Sequence, residues 1–438
     1  MELVKRFSFI SFCVYLFFVP FNWTWTNIFW FISVLGVLIN KDVYKKNILK
    51  VIFDEEKFFI FFSSCYVIWC FVSLLWSEDL DRGFLLSGRY VSIMFFPIFI
   101  CLARIGGVLK RHELLIWAFV AGVLVSSCAC LYLSYQDCWH ETENGTVFNF
   151  DIWNRDITVY ETFTTGHSYF TYVFLSHFTH PAYYSIHFIY VLIFLIYMLL
   201  KQNKLWIKIV ISFMILYCFV FVLFLQCRAE LMSLIFVSFI FLLYYSISRK
   251  YYKSLVLGGL IIGGIIFVVV PHTRLSGMIS GLNKILDRID NQSIQPNLGD
   301  EEYIRIFLWK NAFEIIKREP ILGVGIGDVD SEMEKENIKA KIIETSLGSH
   351  NQYLYCWLAM GILGFLLLLA MFASAFYYGV KNRYFPLITF VGVIMICISF
   401  ENMLTRVYGI MFIPWAMQLL LIMSKENVKP YKIEQTNV

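Results

Sequence analysis

This 438-residue chain reads as an all-α polytopic membrane protein, with about twelve transmembrane helices and one large helical loop on one side. Three observations lead there. The chain is 59% hydrophobic and 16% charged, against about 45–50% and 25% for a soluble domain. It carries 44 Phe, 26 Tyr and 12 Trp, more aromatic bulk than a soluble core needs, and its mean hydropathy is +0.67. Its apolar runs approach the roughly 20 residues that cross a bilayer as a helix. Disorder is excluded by the same composition. A net charge of +4 is too small to imply nucleic acid.

The expected spans run near 7–21, 23–39, 58–76, 89–103, 112–134, 181–200, 209–227, 229–247, 255–271, 353–379, 384–400 and 407–424. The start, Met1 to Pro20, has a basic and then an apolar stretch without a small-residue cleavage site, and is read as a retained first helix. The first two spans are short and joined at Pro20-Phe21-Asn22, which suggests a tilted hairpin. The eleven cysteines are scattered, mostly in apolar runs such as those holding Cys65, Cys70, Cys101, Cys128, Cys130, Cys218 and Cys397. No spacing suggests a zinc site or a disulfide framework.

Orientation follows from Lys and Arg placement, since cytoplasmic segments carry the excess. With both termini cytoplasmic, the inner segments hold 21 Lys and Arg and the short outer segments hold five, all Arg: Arg82, Arg89, Arg155, Arg228 and Arg406. Three parts result: residues 1–271 with spans one to nine and an outer loop at 135–180, residues 272–352 as a large outer loop, and residues 353–438 with spans ten to twelve and a cytoplasmic tail. The large loop has helical spacing at Tyr303, Ile304, Phe307, Leu308, Ile315 and Ile316 up to Arg318. Glu319-Pro320 stops that helix. A glycine-rich turn, Ile321-Leu-Gly-Val-Gly-Ile-Gly327, follows, and the loop is expected to lie over the bundle as a lid.

Several residues invite chemistry. Gln226-Cys-Arg-Ala-Glu230 interrupts two apolar runs, and a charge near hydrocarbon is costly enough to suggest function. Arg228 also reads simply as a hairpin cap with Glu230 as partner. Arg305 suits the solvated face of an amphipathic helix. Ser349-His350-Asn351-Gln352 stands where the loop enters span ten. Ser349 there is a candidate cap, and a helix N-terminus beside His350 suits an anion; a plain polar cap is the alternative. The glycine run lacks the lysine and strand of a phosphate loop and is read as a turn. Asp328-Val-Asp330 has the look of a metal pair, although acids after a glycine turn are common. His177-Phe-Thr-His180 reads as interfacial histidines, and Glu401 as a local ion pair in a tight loop with Asn402 and Arg406.

The order of these pieces is more specific than any one of them. Cys227-Arg228-Ala229, Arg305 to Trp309, Glu319-Pro-Ile-Leu-Gly-Val-Gly-Ile-Gly327, Ser349-His-Asn-Gln-Tyr-Leu354 and Gly361-Ile-Leu-Gly364 together resemble the O-antigen ligase and O-antigen polymerase superfamily of bacterial inner-membrane glycan transferases, most strongly over about 209–370. Leu75-Trp-Ser-Glu-Asp79 and His180-Pro-Ala-Tyr-Tyr184 add to the resemblance. It implies transfer of a glycan from an undecaprenyl-diphosphate carrier at the periplasmic face, without metal or other cofactor. The acceptor is a lipid A-core sugar in the ligase branch, another lipid-linked repeat in the polymerase branch, and a protein hydroxyl in a third. The family's functional residues map onto Arg228, Arg305 and His350. Their chemistry agrees: a departing diphosphate needs fixed cationic donors, and the guanidinium fork pairs with phosphate oxygens. Arg228 and Arg305 are therefore assigned to the diphosphate, and His350 to the acceptor hydroxyl as general base or to the phosphates alongside them. A lipid-linked sugar flippase is the rival from another class. Against it, the spans hold little interior charge, and the polar residues gather on one side.

Overall fold

The computed structural model describes residues 2–21, 23–45, 57–109, 112–142, 145–153, 155, 158, 161–162, 167–249, 259, 263, 301–340, 342 and 345–426. Within them the chain is helical, built from α1 (Glu2–Phe18), α2 (Trp23–Ile39), α3 (Lys57–Val72, continued by a 3-10 turn Ser73–Trp76), α4 (Leu80–Ile105), α5 (His112–Asp137), α6 (Pro181–Lys201), α7 (Leu205–Leu225), α8 (Arg228–Arg249), α9 (Glu301–Arg318), α10 (Val329–Lys339), α11 (Gln352–Lys381), α12 (Phe385–Cys397) and α13 (Val407–Glu426).

Among the described residues, seven helices are long and apolar enough to cross a membrane: α3 with its 3-10 extension, α4, α5, α6, α7, α11 and α13. The expected segments at α1, α2, α8 and α12 are helices as well. Of these, α1, α2 and α12 have 17, 17 and 13 residues, short of the roughly 20 that span the hydrocarbon layer. The segment expected at 255–271 and the cytoplasmic tail beyond 426 lie outside the described residues. The bundle is layered: α6 and α13 bury 78% and 83% of their apolar windows and form its centre, whereas α7 buries 22% and lies at the rim.

Close approach and short polar ties hold the helices together, as expected where hydrocarbon removes the driving force for apolar burial. Ser8 and Ser33 exchange hydroxyl-to-carbonyl bonds of 2.9 and 3.2 Å between α1 and α2. Tyr66 on α3 meets the Cys356 thiol of α11 at 3.0 Å, and Trp69 donates to the Met360 carbonyl at 2.9 Å. Ends assigned by the lysine pattern to the same side also touch one another. Lys5 pairs with Asp42 at 2.6 Å, Asn40 donates to the Gly106 carbonyl at 2.9 Å, and His112 meets Glu426 at 2.9 Å.

At the opposite end lie the loops. The segment after α5 is not plain coil: β1 (Trp139–Thr142) pairs antiparallel with β2 (Gly145–Phe148), with Trp139 opposite Phe148. Its short alternation was too weak to read in the sequence. The large loop contains the expected α9 and an additional helix, α10, whose charged sequence hides its apolar stripe of Val329 and Met333. The glycine turn between them docks into a break in α11. Gly361 has φ 64° and ψ −168°, a conformation essentially confined to glycine, and it divides α11 into two pieces. The backbone groups freed at the break pair with the turn: Val324 N–H donates to the Leu358 carbonyl at 2.8 Å, and Ile362 N–H to the Pro320 carbonyl at 3.1 Å. An added Cβ at Gly361 would stand 1.9 Å from the Ile321 carbonyl oxygen.

Candidate functional site

Three loops and one surface helix converge on a cavity of about 270 Å³ at this end of the bundle. The first wall is the reversal between α7 and α8. Gln226 takes a left-handed φ of 48°, which turns the chain within two residues and sets Arg228 at the start of α8. Gln226, Arg228 and Glu230 all line the cavity. The second wall is α9, through Ile304, Arg305 and Leu308. Four residues after Arg305, on the same helical face, Trp309 donates its indole N–H to the Ser349 carbonyl at 2.9 Å. That bond ties the helix carrying one arginine to the turn carrying the histidine.

The third wall is that turn. Asn351, not Ser349, caps α11: its side chain accepts from the N–H groups of Tyr353 and Leu354 at 3.0 and 3.2 Å. Ser349 is two residues too far out, and its hydroxyl instead donates to the Asn351 carbonyl at 3.1 Å. His350 has φ 44°, an uncommon conformation for a residue with a side chain. Gln352, fully buried, accepts from Leu404 N–H at 2.8 Å and donates toward the Tyr90 hydroxyl at 3.3 Å. It thereby fixes the fourth wall, the loop between α12 and α13.

From that loop comes Glu401. Its carboxylate lies 3.2 Å from His350 Nδ1, so the acid pairs with the histidine rather than with Arg406, as the sequence had suggested. Burial acts to raise the Glu401 carboxyl, but the hydrogen bond and charge of His350, with His180 and Arg305 nearby, outweigh it and hold the group below the ordinary carboxylate range. His180 completes the rim: it caps α6 by accepting from Ala182 N–H at 3.4 Å and lines the same cavity.

Arg228, Arg305 and His350 are thus brought to one cavity, together with Glu401, His180 and Glu230. Glu401 and His180 had a visible signal, being a lone acid and a helix-capping histidine beside long apolar runs, but nothing in the sequence linked them to His350. Other residues serve the fold. Asp328 accepts from Glu78 and Asp79 N–H at 2.7 and 2.8 Å, and Asp330 pairs with Arg82 at 2.6 Å. Each carboxylate is engaged separately, so the pair does not read as a metal site. His177 turns away from His180 to meet Ser134 at 3.1 Å.

A family model described as O-antigen ligase matches residues 213–369, a stretch that holds Arg228, Arg305 and His350. That stretch is similar to the O-antigen ligase family. An uncharacterized protein of Haemophilus influenzae is 32% identical over 101 residues, covering 22% of this chain and 24% of its own length; the match therefore spans about a quarter of that relative. The matched stretch supplies three of the four walls. Glu401 and His180 lie outside the matched stretch and close the cavity from the flanking helices.

Proposed function

We propose that this chain is an O-antigen-ligase-type glycosyltransferase of the bacterial inner membrane. It moves a glycan from an undecaprenyl-diphosphate carrier to a sugar hydroxyl of the lipid A core at the periplasmic face. The observation that carries this reading is the shared cavity: two guanidinium groups and a histidine, all three within the O-antigen ligase match, with the histidine held by a carboxylate from outside it.

The chemistry runs as follows. With Nδ1 directed at Glu401, the imidazole offers Nε2 to the acceptor, the arrangement by which a carboxylate orients a histidine base. Nε2 takes the hydroxyl proton as the oxygen attacks the anomeric carbon. The bond from that carbon to the diphosphate oxygen breaks, and its electron pair leaves on the diphosphate. Arg228 and Arg305 stabilise the charge that develops there, in a partly desolvated site where such donors are worth most. The Glu401 contact favours the base role for His350 over a purely phosphate-binding one. The reading uses no metal, and transfer is expected to survive chelation.

The test is transfer by the purified full chain, given lipid-linked donor and lipid A-core acceptor. Arg305→Ala and His350→Ala should each lower turnover by about 10²–10³-fold, the typical cost of losing one positioned charge-stabilising group. Unchanged turnover in either would remove that residue from the chemistry. In a strain lacking the protein, loss of every long chain from lipid A with donor accumulating outside supports ligation. A single repeat unit still attached would point to polymerisation, and donor trapped inside to a flippase.

A further inference from the structure

A second cavity, of about 420 Å³, lies at the far end of α9. It is enclosed by the end of α9 at Arg318 and Glu319, by the turn between α3 and α4 at Trp76 and Glu78, and by the glycine turn at Gly323. Its charge balance differs from that of the first, where two arginines meet two acids. Glu78, Glu319, Asp328 and Glu332 face Arg318 and Lys335, an excess of two acids, so phosphate is disfavoured there.

Its donors and acceptors suit a neutral polyhydroxyl ligand. The Trp76 indole N–H is buried and has no partner among the described residues. Glu78 and Glu319 are exposed, and neither carboxylate is paired with another side chain among the described residues. An indole face packs against the C–H face of a sugar ring while carboxylates accept from its hydroxyls; a few placed polar groups around an apolar surface is how small-molecule sites are built. The two cavities are aligned as well. Ile304 and Leu308 line the first, Ile315 and Arg318 the second, and this spacing keeps all four on one face of α9. Arg305 to Arg318 is about 20 Å along the helix at 1.5 Å per residue, within reach of a short oligosaccharide.

We propose that this second cavity is a distal sugar subsite, which holds a sugar ring of the glycan while the reacting end occupies the first. The proposal rests on the first cavity being the glycan-transfer centre. The glycan in question belongs either to the donor or to the acceptor.

The experiment uses the full chain in detergent with two free probes: the glycan released from the lipid-linked donor by mild acid, and the delipidated core oligosaccharide. Binding is followed by saturation-transfer NMR, and transfer kinetics are measured with the intact substrates. Trp76→Ala and the exposed-site Glu319→Gln are each expected to weaken binding of one probe about tenfold and to raise KM for the matching substrate by a similar factor, with kcat unchanged. Weakened binding of the donor glycan assigns the subsite to the donor, and weakened binding of the core oligosaccharide assigns it to the acceptor. Arg305→Ala should lose transfer yet bind the probe as the parent does. Parental binding and KM for both probes in both variants would overturn the proposal. Absence of transfer by the parent, with probe binding still dependent on Trp76, would refute the reading of the first cavity and not the subsite.

Discussion

At the scale of single residues, the site is a division of labour between permanent and adjustable charge. For Arg228 and Arg305 the planar guanidinium fork matters as much as the charge. Arg228→Lys, which keeps the charge and loses the fork, is therefore expected to lower turnover by at least about tenfold, as turnover assays on folded protein would measure. Glu401 is the adjustable member. Its carboxyl is held below its ordinary value by His350 despite burial. A depressed native value means that ionisation stabilises the fold above the unfolded value, about 4.3 for Glu, and that this contribution is lost as pH falls through the native one. Glu401→Gln should accordingly melt earlier than the parent at neutral pH, and the gap should close in melts at progressively lower pH below about 4.

At the scale of elements, two local devices deliver those residues. The first is the break in α11 at Gly361, whose φ of 64° and ψ of −168° free backbone groups for the glycine turn. Gly361→Ala combines a glycine-only conformation with a Cβ 1.9 Å from the Ile321 carbonyl oxygen. It is expected to cost at least about 1–3 kcal/mol, visible as a lower melting temperature and as loosened protection of residues 320–325 in hydrogen exchange. The second is the Trp309 bond to Ser349. Trp309→Phe removes one hydrogen bond, about 1 kcal/mol of stability, but it also unties α9 from the His350 turn. Turnover should fall by more than the change in melting temperature alone accounts for, which parallel assays of the two quantities would reveal. The helices themselves were largely legible, because their apolar runs and the Pro320 stop are local. The β1–β2 hairpin and α10 were not, because four-residue strands and an eleven-residue charged helix carry little periodic signal.

At the scale of the whole molecule, the layout is a helical bundle with interhelical ties at one end and the candidate site at the other. The lysine pattern orients it, so topology reporters fused after residue 45 or residue 203 should report the cytoplasm, and those fused after residue 155 or residue 345 the opposite side; a reversal at any of these points would overturn the assignment. The positions of the apolar helices were readable from the chain, and the expected orientation and the candidates Arg228, Arg305 and His350 were drawn from it, because hydropathy and charge act residue by residue, through the cost of placing each side chain in or near hydrocarbon. Folding alone decided that His350 would meet Glu401, 51 positions away, that Asp328 would be spent on backbone N–H groups, and that two cavities would share α9. Those outcomes depend on which helices pack side by side and on how tightly their turns close, and no local pattern of residues encodes the distance between segments that meet only when the bundle forms.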